Sequence, residues 1–287
     1  DGQSHNNLVR NLGRLPIADA ADTIYVFAGN HVVDGGDGDD RIILLDYFTG
    51  YQSTLNGGEG FDTLDLSSSI LSTITLSGNA LTTPEFGTYF IENFEAVRGT
   101  SGNNTIYGDA NKSYHLYGGF GNDVIYAGNQ GDYLYGEEGF DILYGGDGDD
   151  VLDGGEHSDT LIGGLGDDTY VYRHPGDVDT IDDAGGNADR LLIGGGLKIA
   201  DMQIGYNGST MDIFFNSQRM IEILNATTHG AIEFIDFEDG SRYDVLNDIY
   251  TLMGTEEADF LTASGSENRL FGLDGDDTLE AASGVNV

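Results

Sequence analysis

A nine-residue period governs this chain. Read in nines from Gly118, the sequence gives GGFGNDVIY, AGNQGDYLY, GEEGFDILY, GGDGDDVLD, GGEHSDTLI and GGLGDDTYV. These rows begin at Gly118, Ala127, Gly136, Gly145, Gly154 and Gly163. The sixth place is aspartate in every row: Asp123, Asp132, Asp141, Asp150, Asp159 and Asp168. The eighth place is Ile125, Leu134, Leu143, Leu152, Leu161 and then Tyr170. A fixed period of this kind marks a solenoid, in which each unit buries its apolar face only against its neighbours.

The period extends beyond the central block. Upstream, GTSGNNTIY from Gly99 fits with Asn104 in the sixth place, and the intervening row, Gly108–Tyr117, carries one extra residue. Rows from Ile17, Val26 and Gly35 place Asp22, His31 and Asp40 sixth, and a lone row from Gly57 supplies Asp62. Near the end, rows from Gly254, Ala263 and Gly272 supply Asp259, Asn268 and Asp277. A further row from Ala281 stops at Val287, before its apolar position, so the chain is expected to be a piece of a larger polypeptide.

Each unit reads as a six-residue turn and a three-residue strand. Glycines at the first, second and fourth places permit backbone that other residues resist. The eighth side chain points inward between two outward ones. Successive strands then fall alternately into two sheets, and turns on the same side recur every 18 residues, stacked at the strand spacing of about 4.8 Å. That spacing sets Asp123 beside Asp141, Asp132 beside Asp150, Asp141 beside Asp159, and Asp150 beside Asp168. Asp22 with Asp40 and Asp259 with Asp277 are equivalent pairs, and Asn104 with Asp123 is a pair lacking one charge. Carboxylates so close repel unless a cation lies between them. Calcium suits the place, because it accepts six to eight oxygens in adaptable geometry, whereas magnesium keeps its waters. The plain alternative is that these are surface aspartates of the kind turns favour; unbroken register argues against it.

Charge and composition point the same way. Acidic residues number 50 against 11 basic ones, for a formal net charge of -39. Phosphate would be repelled, which excludes nucleic acid as a natural partner, and an anionic membrane surface is disfavoured. Self-repulsion destabilises compaction until a cation neutralises it. The chain has no cysteine, so a metal is the natural staple for a secreted fold. With one inward residue in nine, apolar burial at about 25 cal/mol per Å² cannot offset the ordering of 45 glycines. No apolar run approaches a membrane span.

The unit GGxGxDxUx resembles the RTX, or haemolysin-type, calcium-binding repeat, and GGFGNDVIY and GGDGDDVLD match it closely. The resemblance implies parallel β-rolls, several calcium ions, type I secretion, and folding outside the cell. It implies that carbonyls of turn glycines such as Gly118, Gly136, Gly145, Gly154 and Gly163 join the aspartates as ligands. The stretch after the main array resembles the usual exit from an RTX block, with Asp177 and Asp179 closing the last turn. The region from Asp189 to Asp244 resembles the β-rich domain that flanks such blocks in adenylate cyclase toxin and related type I-secreted proteins.

The expected fold is all-β: parallel β-roll arrays with flanking antiparallel β-rich capping segments. Residues 1–65 hold N-terminal rows, 66–98 a β insert or cap, 99–183 the main roll, 184–253 the flanking β-rich domain, and 254–287 the start of a further array. The spacing of Val245, Ile249 and Leu252 suggests a short helix near Tyr243–Gly254. No HExxH zinc motif, GxSxG elbow, thiol nucleophile or P-loop lysine occurs in the sequence, so no catalytic residue is assigned. Tyrosine fills the ninth place at Tyr107, Tyr117, Tyr126, Tyr135 and Tyr144. Alternation between sheets predicts that Tyr107, Tyr126 and Tyr144 share one outer face and Tyr117 and Tyr135 the other. Such ladders either bind a polysaccharide or host-surface glycan or simply stabilise the sheet. The leading functional reading is a calcium-binding module of a large secreted exoprotein or toxin; the alternative is a surface-binding module of an adhesin or polysaccharide-acting enzyme.

Overall fold

The computed structural model describes residues 21–27, 29–45, 53–85, 87–183, 185–207, 209–226 and 232–247 with their side chains. It also describes the backbone of strands 6–9, 15–16, 249–253, 260–263, 267–271, 278–281 and 285–286. Asp259 and Asp277 lie outside the described residues. Among those residues the strands form a 15-stranded and a 14-stranded sheet, with a separate pair, Phe260–Ala263 and Thr278–Ala281. The chain alternates between the two large sheets with each row of the central block, so Val124–Tyr126, Ile142–Asp147 and Thr160–Leu165 pair in one sheet. Tyr133–Glu138, Val151–Glu156 and Thr169–Tyr172 pair in the other. All these pairings are parallel and eighteen residues apart, as the period requires.

The core lies between the sheets and is one side chain deep. Ile125, Leu134, Leu143, Leu152, Leu161 and Tyr170 are all fully buried. The first-position glycine of the next row also faces inward, and there it leaves no room for a side chain. A Cβ built on Gly136 would collide with the Asp141 carboxylate and with the Gly154 carbonyl two rows on. This close approach corrects the expected three-residue strand. Most rows of the main block carry six residues, as in Tyr133–Glu138, because glycine lets the backbones keep pairing into the turn.

The segment 66–98 does not close a roll. Thr73–Ser77, Ala80–Thr83 and Gly87–Glu92 form an antiparallel meander. Its outer strands pair parallel with Thr105–Tyr107 and Thr54–Glu59. Ala96–Arg98 continues the opposite sheet. The meander therefore bridges the rows on each side.

The flank behaves similarly. Met202–Asn207, Thr210–Phe215 and Gln218–Leu224 are antiparallel, as the alternation in MQIGYNGSTMDIFF predicts. Yet Gln218–Leu224 pairs parallel with Asp179–Asp182, and Phe234–Phe237 pairs parallel with Arg190–Ile193. The expected helix near residue 243 is absent. Arg242–Asp244 and Ile249–Met253 are antiparallel strands, and the Asp244 carboxylate accepts from the Asn247 backbone N–H at 3.0 Å to turn the chain between them. That local Asx bond competes with helix formation.

Candidate metal centre

The sixth-position aspartates stand in two columns, each rung holding the next. In one, the backbone N–H of Asp132 donates to Asp150 Oδ1 at 2.7 Å and that of Asp150 to Asp168 Oδ1 at 2.8 Å. In the other, Asp123 donates to Asp141 Oδ1 at 2.7 Å and Asp141 to Asp159 Oδ1 at 2.8 Å. The predicted pairs are thus neighbours. Asn104 donates to Asp123 and Asp22 to Asp40 in the same manner. Asp179 takes the next rung, accepting from the Asp159 N–H at 3.0 Å, and Asp177 accepts from the His157 N–H at 3.0 Å.

One carboxylate oxygen per rung is therefore used on the fold. The other is not. The Oδ2 atoms of Asp40, Asp62, Asp123, Asp141, Asp150, Asp159 and Asp168 are buried without a hydrogen-bond partner. A buried polar atom of this kind is costly, and its repetition along a column calls for a ligand. Burial pushes Asp123 up to about 7, Asp141 and Asp168 to about 6, and Asp150 and Asp159 to about 8, opposed by the backbone hydrogen bonds each accepts. The donor set is oxygen throughout, which suits a hard cation. The inward turn glycines bring carbonyls to the same place. The Gly145 position abuts both Asp150 Oδ2 and the Gly163 carbonyl, and Gly118 abuts Asp123 Oδ2 and the Gly136 carbonyl.

Two features were not legible in the period. The row from Ala127 departs from its neighbours: the Gly128 N–H donates to Asp132 Oδ2 at 3.1 Å, so this carboxylate is satisfied by its own turn. The other feature is the reach of one column. Upstream, Tyr114 holds the place before Asp132, its N–H donating to Asp132 Oδ1 at 2.6 Å, and beyond it the column resumes at Glu95, whose carboxylate accepts from the Asp62 N–H at 2.8 Å. Downstream it passes from Asp168 to Asp189 and on to Glu233, at 2.7 and 2.9 Å. Glu95, Asp189 and Glu233 lie at irregular spacings, so only the three-dimensional stacking reveals them. At His31 the opposite turns hold no carboxylate rung: the His31 N–H donates to the Ser53 hydroxyl.

The motif that recurs at these rungs has a known counterpart. The family described as RTX calcium-binding nonapeptide repeat (4 copies) matches residues 19–43, 94–111, 115–143, 135–170 and 251–287. The chain carries RTX calcium-binding nonapeptide repeats. The RTX rows it matches include every main-block rung from Asp123 to Asp168. No curated protein matches the sequence. Among solved structures, the RTX chain is similar to the extracellular lipase LipA from Serratia marcescens, at 17% identity and a TM-score of 0.29. That likeness covers 78% of this chain and 38% of the lipase chain.

The tyrosines divide between the faces as predicted. Tyr107, Tyr126 and Tyr144 stack with centroids 5.0 and 4.6 Å apart on one sheet. Tyr117 and Tyr135 stack at 4.6 Å on the other. The second face also carries a groove of about 340 Å³ lined by Arg98, Phe120, Tyr135, Glu137, Asp153 and His174, among others.

Proposed function

We propose that this chain is a calcium-dependent folding module of a larger protein exported by type I secretion. The columns of buried aspartates with one unpartnered oxygen carry this reading. In it, Asp22, Asp40, Asp123, Asp132, Asp141, Asp150, Asp159, Asp168, Asp177 and Asp179 hold several calcium ions with carbonyls of the turn glycines, and Asp259 and Asp277 continue the series. The rows of 1–65, 99–183 and 254–287 are the calcium-binding stretches, and 66–98 and 184–253 join them. The module is extracellular and structural: it stays unfolded where calcium is scarce, folds outside the cell and stiffens its neighbours.

The test is the calcium concentration at which strand content reaches half its final value. Extracellular calcium modules bind on the order of 10⁻⁴–10⁻³ M, and a midpoint near that range is expected. A chain already folded at cytosolic, submicromolar calcium would defeat the export reading.

The tyrosine stacks favour a second role on the same scaffold. Tyr107 and Tyr126 are 41% and 37% exposed, and flat exposed rings suit sugar faces. A glycan panel probed with the calcium-loaded chain would then give hits that weaken at least tenfold in Tyr126→Ala. Binding that is unchanged in that variant would leave the stacks as sheet stabilisers.

A further inference from the structure

The face that carries Tyr117 and Tyr135 also holds charge that the aspartate columns do not use. Phe120, Glu138 and Glu156 stand in register on adjacent strands and line the groove there. Phe120 is 53% exposed, and both glutamates are exposed. Four carboxylates line this groove, those of Glu137, Glu138, Asp153 and Glu156. Arg98 pairs with Glu137, and Arg173 pairs with Asp153. The carboxylates of Glu138 and Glu156 have no such partner among the described residues. Their backbones are direct neighbours in the sheet, about 4.8 Å apart, where like charges repel.

The aromatic lining decides what kind of cation suits the place. Phe120 continues the row of the two glutamates, and Tyr135, stacked on Tyr117 at 4.6 Å, lines the same groove. Calcium takes six to eight oxygens, and ring faces supply none. An organic ammonium uses both surfaces: its N–H groups donate to carboxylates, and its charge is attracted to an aromatic face. The groove, about 340 Å³, lies at the small end of ligand pockets, which suits a short run of flat rings better than a folded partner. A sugar ring offers an apolar face to tyrosine. The net charge of -39 draws a cationic ligand and repels an acidic polysaccharide.

We propose that this groove binds an amino-sugar glycan, with its ammonium held by Glu138 and Glu156 beside Phe120 and a sugar ring stacked on Tyr135. The site is separate from the Tyr107 and Tyr126 face and from the aspartate columns. It needs only the folded roll, because the pairing of Tyr133–Glu138 with Val151–Glu156 brings the two glutamates together.

Isothermal titration of the full chain in saturating calcium, with the glucosamine tetramer, its N-acetylated counterpart and tetralysine as probes, tests this. The glucosamine tetramer is expected to bind. The N-acetylated tetramer keeps the rings but loses the charge, and is expected to bind at least about tenfold more weakly. Glu138→Gln and Phe120→Ala alter exposed side chains, so they are expected to keep wild-type strand content and to weaken glucosamine binding by a similar factor. No binding by the glucosamine tetramer, equal binding of the two tetramers, or binding unchanged in both folded variants would overturn the proposal. Tetralysine binding as tightly would overturn it too, and would mark a surface for basic peptides. Binding lost in Tyr126→Ala but kept in Glu138→Gln would overturn this site and leave the glycan reading of the other face standing. A chain that folded without calcium would defeat the calcium reading, yet the same titration would still test the groove. The comparison of the two tetramers on the wild-type chain decides the matter even if a variant does not fold.

Discussion

In chelator at pH 7.5 the chain loses most of its β-sheet circular dichroism, and added calcium restores it cooperatively. The magnitude follows from the columns. Seven rung aspartates, Asp40, Asp62, Asp123, Asp141, Asp150, Asp159 and Asp168, bury an unpartnered Oδ2. At this pH each carboxyl either keeps its charge in a buried place or takes up a proton well above its unfolded value, and either costs several kcal/mol. Seven such costs exceed the roughly 5–15 kcal/mol by which a whole domain is stable. The core cannot offset them, because each row inserts a single large side chain. A cation between rungs removes the penalty and becomes folding free energy. Removing one ligand should show the same dependence on a smaller scale: Asp150→Asn is expected to raise the half-folding calcium concentration several-fold. Identical strand content in chelator and calcium would refute the argument.

Acidification should have opposite effects on the metal-free and the calcium-loaded chain. Burial raises the rung carboxyls to about 6 to 8, against an unfolded value of about 3.9. A carboxyl raised in the fold binds its proton more tightly there. Its contribution to stability is complete below the unfolded value and is lost as pH rises through 6 to 8. The metal-free chain therefore regains strand content when taken from pH 8 toward pH 5. Calcium competes with those same protons. Its affinity falls on acidification by about tenfold per pH unit for each proton displaced, once pH is below the rung values. Titrations of strand content against calcium at several pH values test both halves. A calcium midpoint that does not move between pH 8 and pH 5.5 would contradict the assignment of the rungs as ligands.

The repeat made most of the fold legible because its period is rigid. One aspartate every nine residues fixes the rungs, one apolar residue fixes the core, and alternation fixes which tyrosines share a face. What escaped lies where the spacing breaks. Asp189 and Glu233 join the column from stretches outside the matched repeats and Glu95 from the edge of one, and their role depends on strands 96–98, 190–193 and 234–237 landing in register. The Ala127 row keeps its sixth-position aspartate, but its turn folds back to satisfy it. Spacing of Val245, Ile249 and Leu252 looked helical, yet Tyr243 faces inward on a strand and Leu246 is exposed in the turn.

The most direct test is a crystal structure of the chain grown in calcium, with anomalous scattering to place the ions. Calcium within 2.3–2.6 Å of the free oxygens of Asp123, Asp141, Asp150, Asp159 and Asp168 is the predicted result. Ordered rungs whose free oxygens meet only water or a neighbouring carboxyl, with calcium elsewhere or absent, would contradict it.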